Sequence, residues 1–125
     1  MPNPILTDNF RAEAVISKRT IVKHGAVDGT VVPATAATDL IIGVSEQIDS
    51  AIGQSCDVIL QGIADIAAGA AFARGARLTT DATSRAIIAA PAAGSNVQIL
   101  GIALAAATAA GDIVPVLVSQ SVMQG

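Results

Sequence analysis

The residues able to do chemistry are few. The chain has one histidine, His24, and one cysteine, Cys56. A thiol becomes a nucleophile when a base lies in reach to take its proton, and His24 is the sole histidine that could serve. His24 precedes Gly25 in a turn-like stretch and reads as an exposed loop residue. Cys56 opens an apolar run beside Asp57, and no spacing brings the two together. A single cysteine also excludes an intrachain disulfide and a cysteine-rich metal site. The ten acidic residues are dispersed. Asp8 and Glu13, or Glu46 and Asp49, could share a surface, but no aromatic platform accompanies them as a glycoside-cleaving carboxylate pair would want. Asp49 belongs to no EF-hand pattern. The stretch "GAAFARG" holds two glycines without GxGxxG spacing, and there is no Walker-type lysine loop. The sequence therefore predicts no enzyme, no metal site and no cofactor.

The elements around these residues are small and apolar. With 125 residues the chain is expected to form one domain with a modest core. Hydrophobic residues make up 52 % and aromatic ones 2 %, so the core must be built from small aliphatic groups. Each alanine buries little area, at about 25 cal/mol per Å², which favours an oligomer or docking on a larger surface. The net charge is −3, the basic residues are scattered apart from Lys18, Arg19 and Lys23, and rings for base stacking are almost absent. Nucleic-acid binding is not expected. "MPNPILTDNF" lacks the basic and apolar regions of a signal peptide. The uncharged stretch between Arg85 and Asp112 is broken by Pro91, Gly94, Ser95, Asn96 and Gln98, too short an apolar run for a spanning helix. The expectation is a soluble chain with no membrane partner.

Alanine content alone would suggest helices. Isoleucine and valine nevertheless total 27 against 7 leucines, and β-branched residues favour strands. Eleven glycines and five prolines interrupt the chain too often for ordinary helices. In "FRAEAVIS", Phe10, Ala12, Ala14 and Ile16 alternate with the period of a strand.

An internal repeat strengthens the β reading. "IIGVSEQIDSAIGQSCDVIL" (41–60) and "ILGIALAAATAAGDIVPVLV" (99–118) superpose at an offset of fifty-eight, pairing Gly43 with Gly101 and Gly53 with Gly111. These four are the expected structural glycines, with Gly53 and Gly111 in turns that need positive φ. "SEQIDSAI" fills one frame and "ALAAATAA" the other, so the frame is strand, connection, strand. Upstream, Gly25 pairs with Gly75, and "TTDATSR" reads as a longer turn in the second copy. The expected fold is mostly β, a small barrel or sandwich of two pseudo-repeated halves, about 11–62 and 63–125, preceded by an extended arm over 1–10.

With "KHGAVDGTVVPATAATDLIIGV", "GQSCDVILQG", "IAAGAAFARG", "LTTDATSR" and "LGIALAAATAAGDIVPVL" in this order, the chain resembles the capsid decoration (capsid cement) proteins of tailed phages. One departure is Ser84, where the family's turn would carry glycine. The resemblance implies a β domain that assembles as a homotrimer on the outer surface of the expanded icosahedral head. There it would cement neighbouring major capsid protein subunits against internal pressure, after synthesis in the host cytoplasm. Expected contacts with capsid or neighbour are Pro2, Asn3, Pro4, Ile5 and Leu6 of the arm. Ala105, Ala106, Ala107 and Ala109 are the expected oligomer interface, because alanine permits close backbone approach, with 45–52 as the wet counterpart. The alternative is another virion component, a tail or fibre-base β protein.

Overall fold

The computed structural model describes residues 3–46 and 49–125. Nine strands form among them, with no α-helix: β1 (Asn3–Ala12), β2 (Ile21–His24), β3 (Thr30–Pro33), β4 (Ile41–Ser45), β5 (Ser55–Ala67), β6 (Arg77–Thr80), β7 (Ala86–Ile88), β8 (Asn96–Ala103) and β9 (Ile113–Gln124). They make one sheet in the order β1-β3-β2-β4-β5-β9-β8-β6-β7, with β1 pairing β5 as well. The sheet curls on itself into a sandwich-like body rather than one closed barrel. Strand period is plain in β9, where Val114, Val116 and Val118 turn inward and Ile113 and Leu117 outward.

The long strand β5 serves both halves. In the first half the pairings β1–β3, β3–β2, β2–β4, β4–β5 and β5–β1 return to their starting strand. The second half repeats that order as β5–β9, β9–β8, β8–β6 and β6–β7. A parallel bridge between Ala68 and Ala86 then leads back to the end of β5. The boundary expected at 62/63 thus falls inside a strand. Residues 3–12, expected in large part as an arm, are hydrogen-bonded to β5 in the register Asn3↔Ile63 to Arg11↔Ser55.

The interiors of the halves correspond residue by residue. One buried cluster contains Ala12, Ile16, Val22, Val31, Cys56 and Val58. Their counterparts Ala68, Phe72, Leu78, Ala86, Val114 and Val116 all belong to the other cluster. That larger cluster also takes in Ile21, Val44 and Ile59, which lie on the first half's outward side and fuse the two halves.

This correspondence corrects the upstream alignment. Phe72 and Ala107 bridge in the second half as Ile16 and Ser50 do in the first. Gly75 therefore answers Arg19, not Gly25. Both carry positive φ, 88° and 56°. The reason is physical: the turn fixes the backbone conformation but not the residue type, so matching by glycine identity misplaces it. Nor is the second copy's turn longer. Thr80↔Ala86 spans five intervening residues and His24↔Val31 spans six. Ser84 takes the left-handed conformation at φ 66°, as glycine would.

Candidate functional site

The potential nucleophile and base are held apart by their environments. Cys56 is buried at 2 % exposure, in the place that Val114 fills in the second half. Burial pushes its thiol upward, with a smaller push from the Asp57 carboxylate. His24 ends β2 on the exposed surface. The structure gives Cys56 a packing role.

The carboxylates serve the chain's own loops. Glu13 accepts hydrogen bonds from the amides of Ala26 (2.9 Å) and Val27 (3.2 Å) and from the Thr30 hydroxyl (2.9 Å). The Ala26 amide does most to hold its carboxyl below the usual range, followed by Thr30. Asp112 accepts from the Thr108 amide and hydroxyl, both 2.8 Å, and from the Ala109 amide. Those bonds lower its carboxyl, the Thr108 hydroxyl first. At Asp39 burial pushes upward, yet the Thr35 and Ala36 amides and the Lys23 ammonium at 3.2 Å together outweigh it. Burial likewise raises Asp81, and the Arg85 and Thr83 amides reverse the shift. Asp49 accepts from the Lys18 amide, and Asp57 from the Asn9 side chain. Among the described residues no group of three or more His, Cys, Asp or Glu side chains could hold a metal ion.

Two of these carboxylates exchange places between the halves. Glu13 corresponds to Gly69, and Gly25 to Asp81. A Cβ on Gly25 would collide with Thr30 Oγ1 and Glu13 Oε1, and one on Gly69 with Asp81 Oδ2. The same small volume is filled from the strand end in one half and from the facing loop in the other. Sequence reading missed this pair, because its signal lies in an offset of fifty-six that the glycine matching obscured.

The four frame glycines divide into two kinds. Gly53 and Gly111 have φ of 84° and 94° with open space around them. Their amides donate to the carbonyls of Ala12 and Ala68, tying one connection to the end of β1 and the other to the residue that follows β5. Gly43 and Gly101 are required by proximity instead: a Cβ would run into the carbonyl oxygens of Ile59 and Leu117.

An open cleft of about 230 Å³ lies where Val15, Ser17, Thr20, Pro33 and Thr35 face Ala82, Thr83 and Ser84. No charged side chain lines it. The Thr20 and Ser84 hydroxyls are engaged within the chain, donating to the carbonyls of Ser17 and Ala34.

What is left is surface. Pro2 lies outside the described residues. Asn3, Pro4, Ile5 and Leu6 lie exposed on β1, with Ile5 80 % exposed. In the connection 104–112, Ala106 and Ala109 are exposed and Ala105 is half-buried. Ala107 is buried against its own chain, exchanging backbone hydrogen bonds with Phe72. Its side chain is 4 % exposed within its own chain. Of the wet counterpart, Ser45 and Ser50 are buried and residues 47 and 48 lie outside the described residues. The sequence reading overlooked Ile113 and Leu117, apolar side chains that the strand pattern turns outward; Leu104, within the alanine-rich connection, is exposed as well.

The structure is thus a twice-built β scaffold whose carboxylates organise its own loops and which leaves apolar strand positions exposed. The chain belongs to the phage cement protein family, whose model matches residues 3–119. It is a capsid-associated structural protein of the virion. Among solved structures it is similar to the N base of the head fiber gp8.5 of bacteriophage phi29, at 17 % identity and a TM-score of 0.67, over 96 % of this chain and 98 % of that one. That likeness carries the fold. No curated protein matches the chain.

Proposed function

We propose that the chain binds the outer surface of the expanded phage head as a homotrimer and cements neighbouring major capsid protein subunits, with no enzymatic activity. The family match over residues 3–119 carries this reading. The geometry supports it in two ways. The outward side chains of β1, Ile5 and Leu6 among them, are available to a partner. The small core also leaves stability to be gained from contacts outside the chain. Many modest contacts repeated over a shell add through multivalency rather than through one tight site.

The test is to mix the purified protein with undecorated heads and sediment them. Saturable co-sedimentation with expanded heads and none with unexpanded shells is expected. Equal binding to both, or none to either, would sink the reading. A second reading, the base of a projecting virion fibre, draws on the likeness to the head-fiber N base. Labelled protein would then mark discrete attachment points rather than cover heads evenly.

A further inference from the structure

The turn between β2 and β3 carries a pair of neighbours found once in the chain. Asp28 is followed by Gly29, and no other aspartate or asparagine precedes a glycine. The two occupy the middle of a turn that the Thr30 amide closes by donating to the Val27 carbonyl at 3.2 Å. Gly29 has a φ of 80°, the left-handed value that a type II turn asks of its third residue. Both residues are exposed, and a Cβ on Gly29 would meet nothing within 4 Å.

The loop around this pair is held, but the two groups that could react are not. Glu13 accepts from the Ala26 and Val27 amides and the Thr30 hydroxyl, and the Gly29 carbonyl accepts from the Arg11 amide at 3.0 Å. Among the described residues, neither the Asp28 carboxylate nor the Gly29 amide makes a hydrogen bond or an ion pair. Every other aspartate accepts a hydrogen bond or engages a neighbour. Each also precedes a residue whose side chain crowds the following amide. The second half supplies a comparison in its turn 81–85. Ser84 is left-handed there too, at φ 66°, but Thr83 precedes it and its amide donates to the Asp81 carbonyl.

We propose that Asp28 is a site of spontaneous covalent modification, closing onto the Gly29 amide and reopening as isoaspartate. The Gly29 nitrogen attacks Asp28 Cγ and a C–N bond forms. The amide proton and the carboxyl OH leave together as water, and a succinimide ring results. Water then adds back at one of the two ring carbonyls. Opening at Cγ restores aspartate. Opening at the backbone carbonyl leaves the chain running through Cγ, with one more backbone methylene and the free carboxylate on Cα. No oxidant, reductant or cofactor enters, and the mass is unchanged at the end. The free carboxyl supplies the electrophile, the unbonded amide the nucleophile, and the bare glycine the access. The added methylene falls between Val27 and Gly29, so the turn closure and the Gly29 hold on the Arg11 amide of β1 must both shift. This chemistry is independent of what the chain binds.

The test incubates the full chain, folded, at mildly acid pH. Isoaspartate is then labelled with an isoaspartyl carboxyl methyltransferase and S-adenosylmethionine, and the label is placed by fragmentation mass spectrometry. Label is expected to grow with time at residue 28 and at no other aspartate. Asp28→Thr, which copies Thr83, should lose it while circular dichroism shows the β spectrum retained. Asp28→Asn closes the same ring with ammonia leaving in place of water, so it should gain mass as its amide becomes an acid. A folded chain that takes no label at Asp28, or takes it equally at the other aspartates, overturns the proposal. So does an Asp28→Asn chain that keeps its amide while folded. Label that appears only in urea overturns it as well, because the folded turn would then be what prevents closure.

Discussion

At the scale of single residues, the two kinds of frame glycine should fail differently. Gly101→Ala drives a methyl into the Leu117 carbonyl, on the rigid backbone of the neighbouring strand, and should cost about 3 kcal/mol as overpacking. Gly53→Ala meets open space and a left-handed backbone, so its cost should be about 1–2 kcal/mol. Urea denaturation of both variants checks the order, and equal losses would count against it. Cys56→Val copies the residue that Val114 supplies, and should change stability by less than about 1.5 kcal/mol. The native thiol should resist a thiol reagent at neutral pH until the chain unfolds, since burial both shields it and disfavours thiolate. The left-handed glycines were legible in the sequence because turns with φ > 0 select for glycine. Arg19 and Ser84 hold that conformation too, and no residue-type rule would have found Arg19.

At the scale of elements, the exchange between Glu13/Gly25 and Gly69/Asp81 makes a closed experiment. Glu13→Gly alone strips the loop 25–30 of its acceptor for three donors and should destabilise the protein. Gly25→Asp alone crowds Glu13. The double variant recreates the second half's arrangement, so the losses should not add, with a coupling of about 1–3 kcal/mol. Strict additivity in a thermal or urea double-mutant cycle would mean the two sites do not share one space. The strand character and the matching of 41–60 with 99–118 could be read from the chain because the strands and glycines of these segments keep one offset, although the bridged Ser50 and Ala107 inside the connections depart from it by one residue. The shift to an offset of fifty-six farther upstream could not. It arises from differing connection lengths, and carboxylates that swap positions leave no identity to align. Ala107 shows the same limit: alanine composition suggested an interface, but only the Phe72 pairing reveals which alanine its own chain has already buried.

At the scale of the whole molecule, acid should be the condition that loosens the fold. Glu13, Asp39, Asp81 and Asp112 all have carboxyls lowered below their ordinary values. A lowered folded value means stability that is complete above the unfolded range, about pH 4, and is lost as pH falls through the folded values. The melting temperature should hold from neutral pH to about pH 5 and then fall. Glu13→Gln, which cannot titrate, should shallow that decline, and a melting temperature rising toward pH 3 would contradict the assignment. Class and family were legible from spaced motifs, since glycine punctuation records turns directly. That one strand belongs to both halves was not legible, although Gly62, with φ 104° and the β1 backbone close against it, stands in "SCDVILQGIADIA" where β5 passes from β1 to β9.

That shared strand decides how the molecule bears load. β5 is one unbroken covalent tie across both halves, flanked by β1 and β4 in one and by β9 in the other. A pull along it is opposed by many hydrogen bonds sheared together rather than opened one after another. Neither half can be peeled away while its neighbour stays whole, and the protein should yield to force in a single step, as a rivet does rather than a zip.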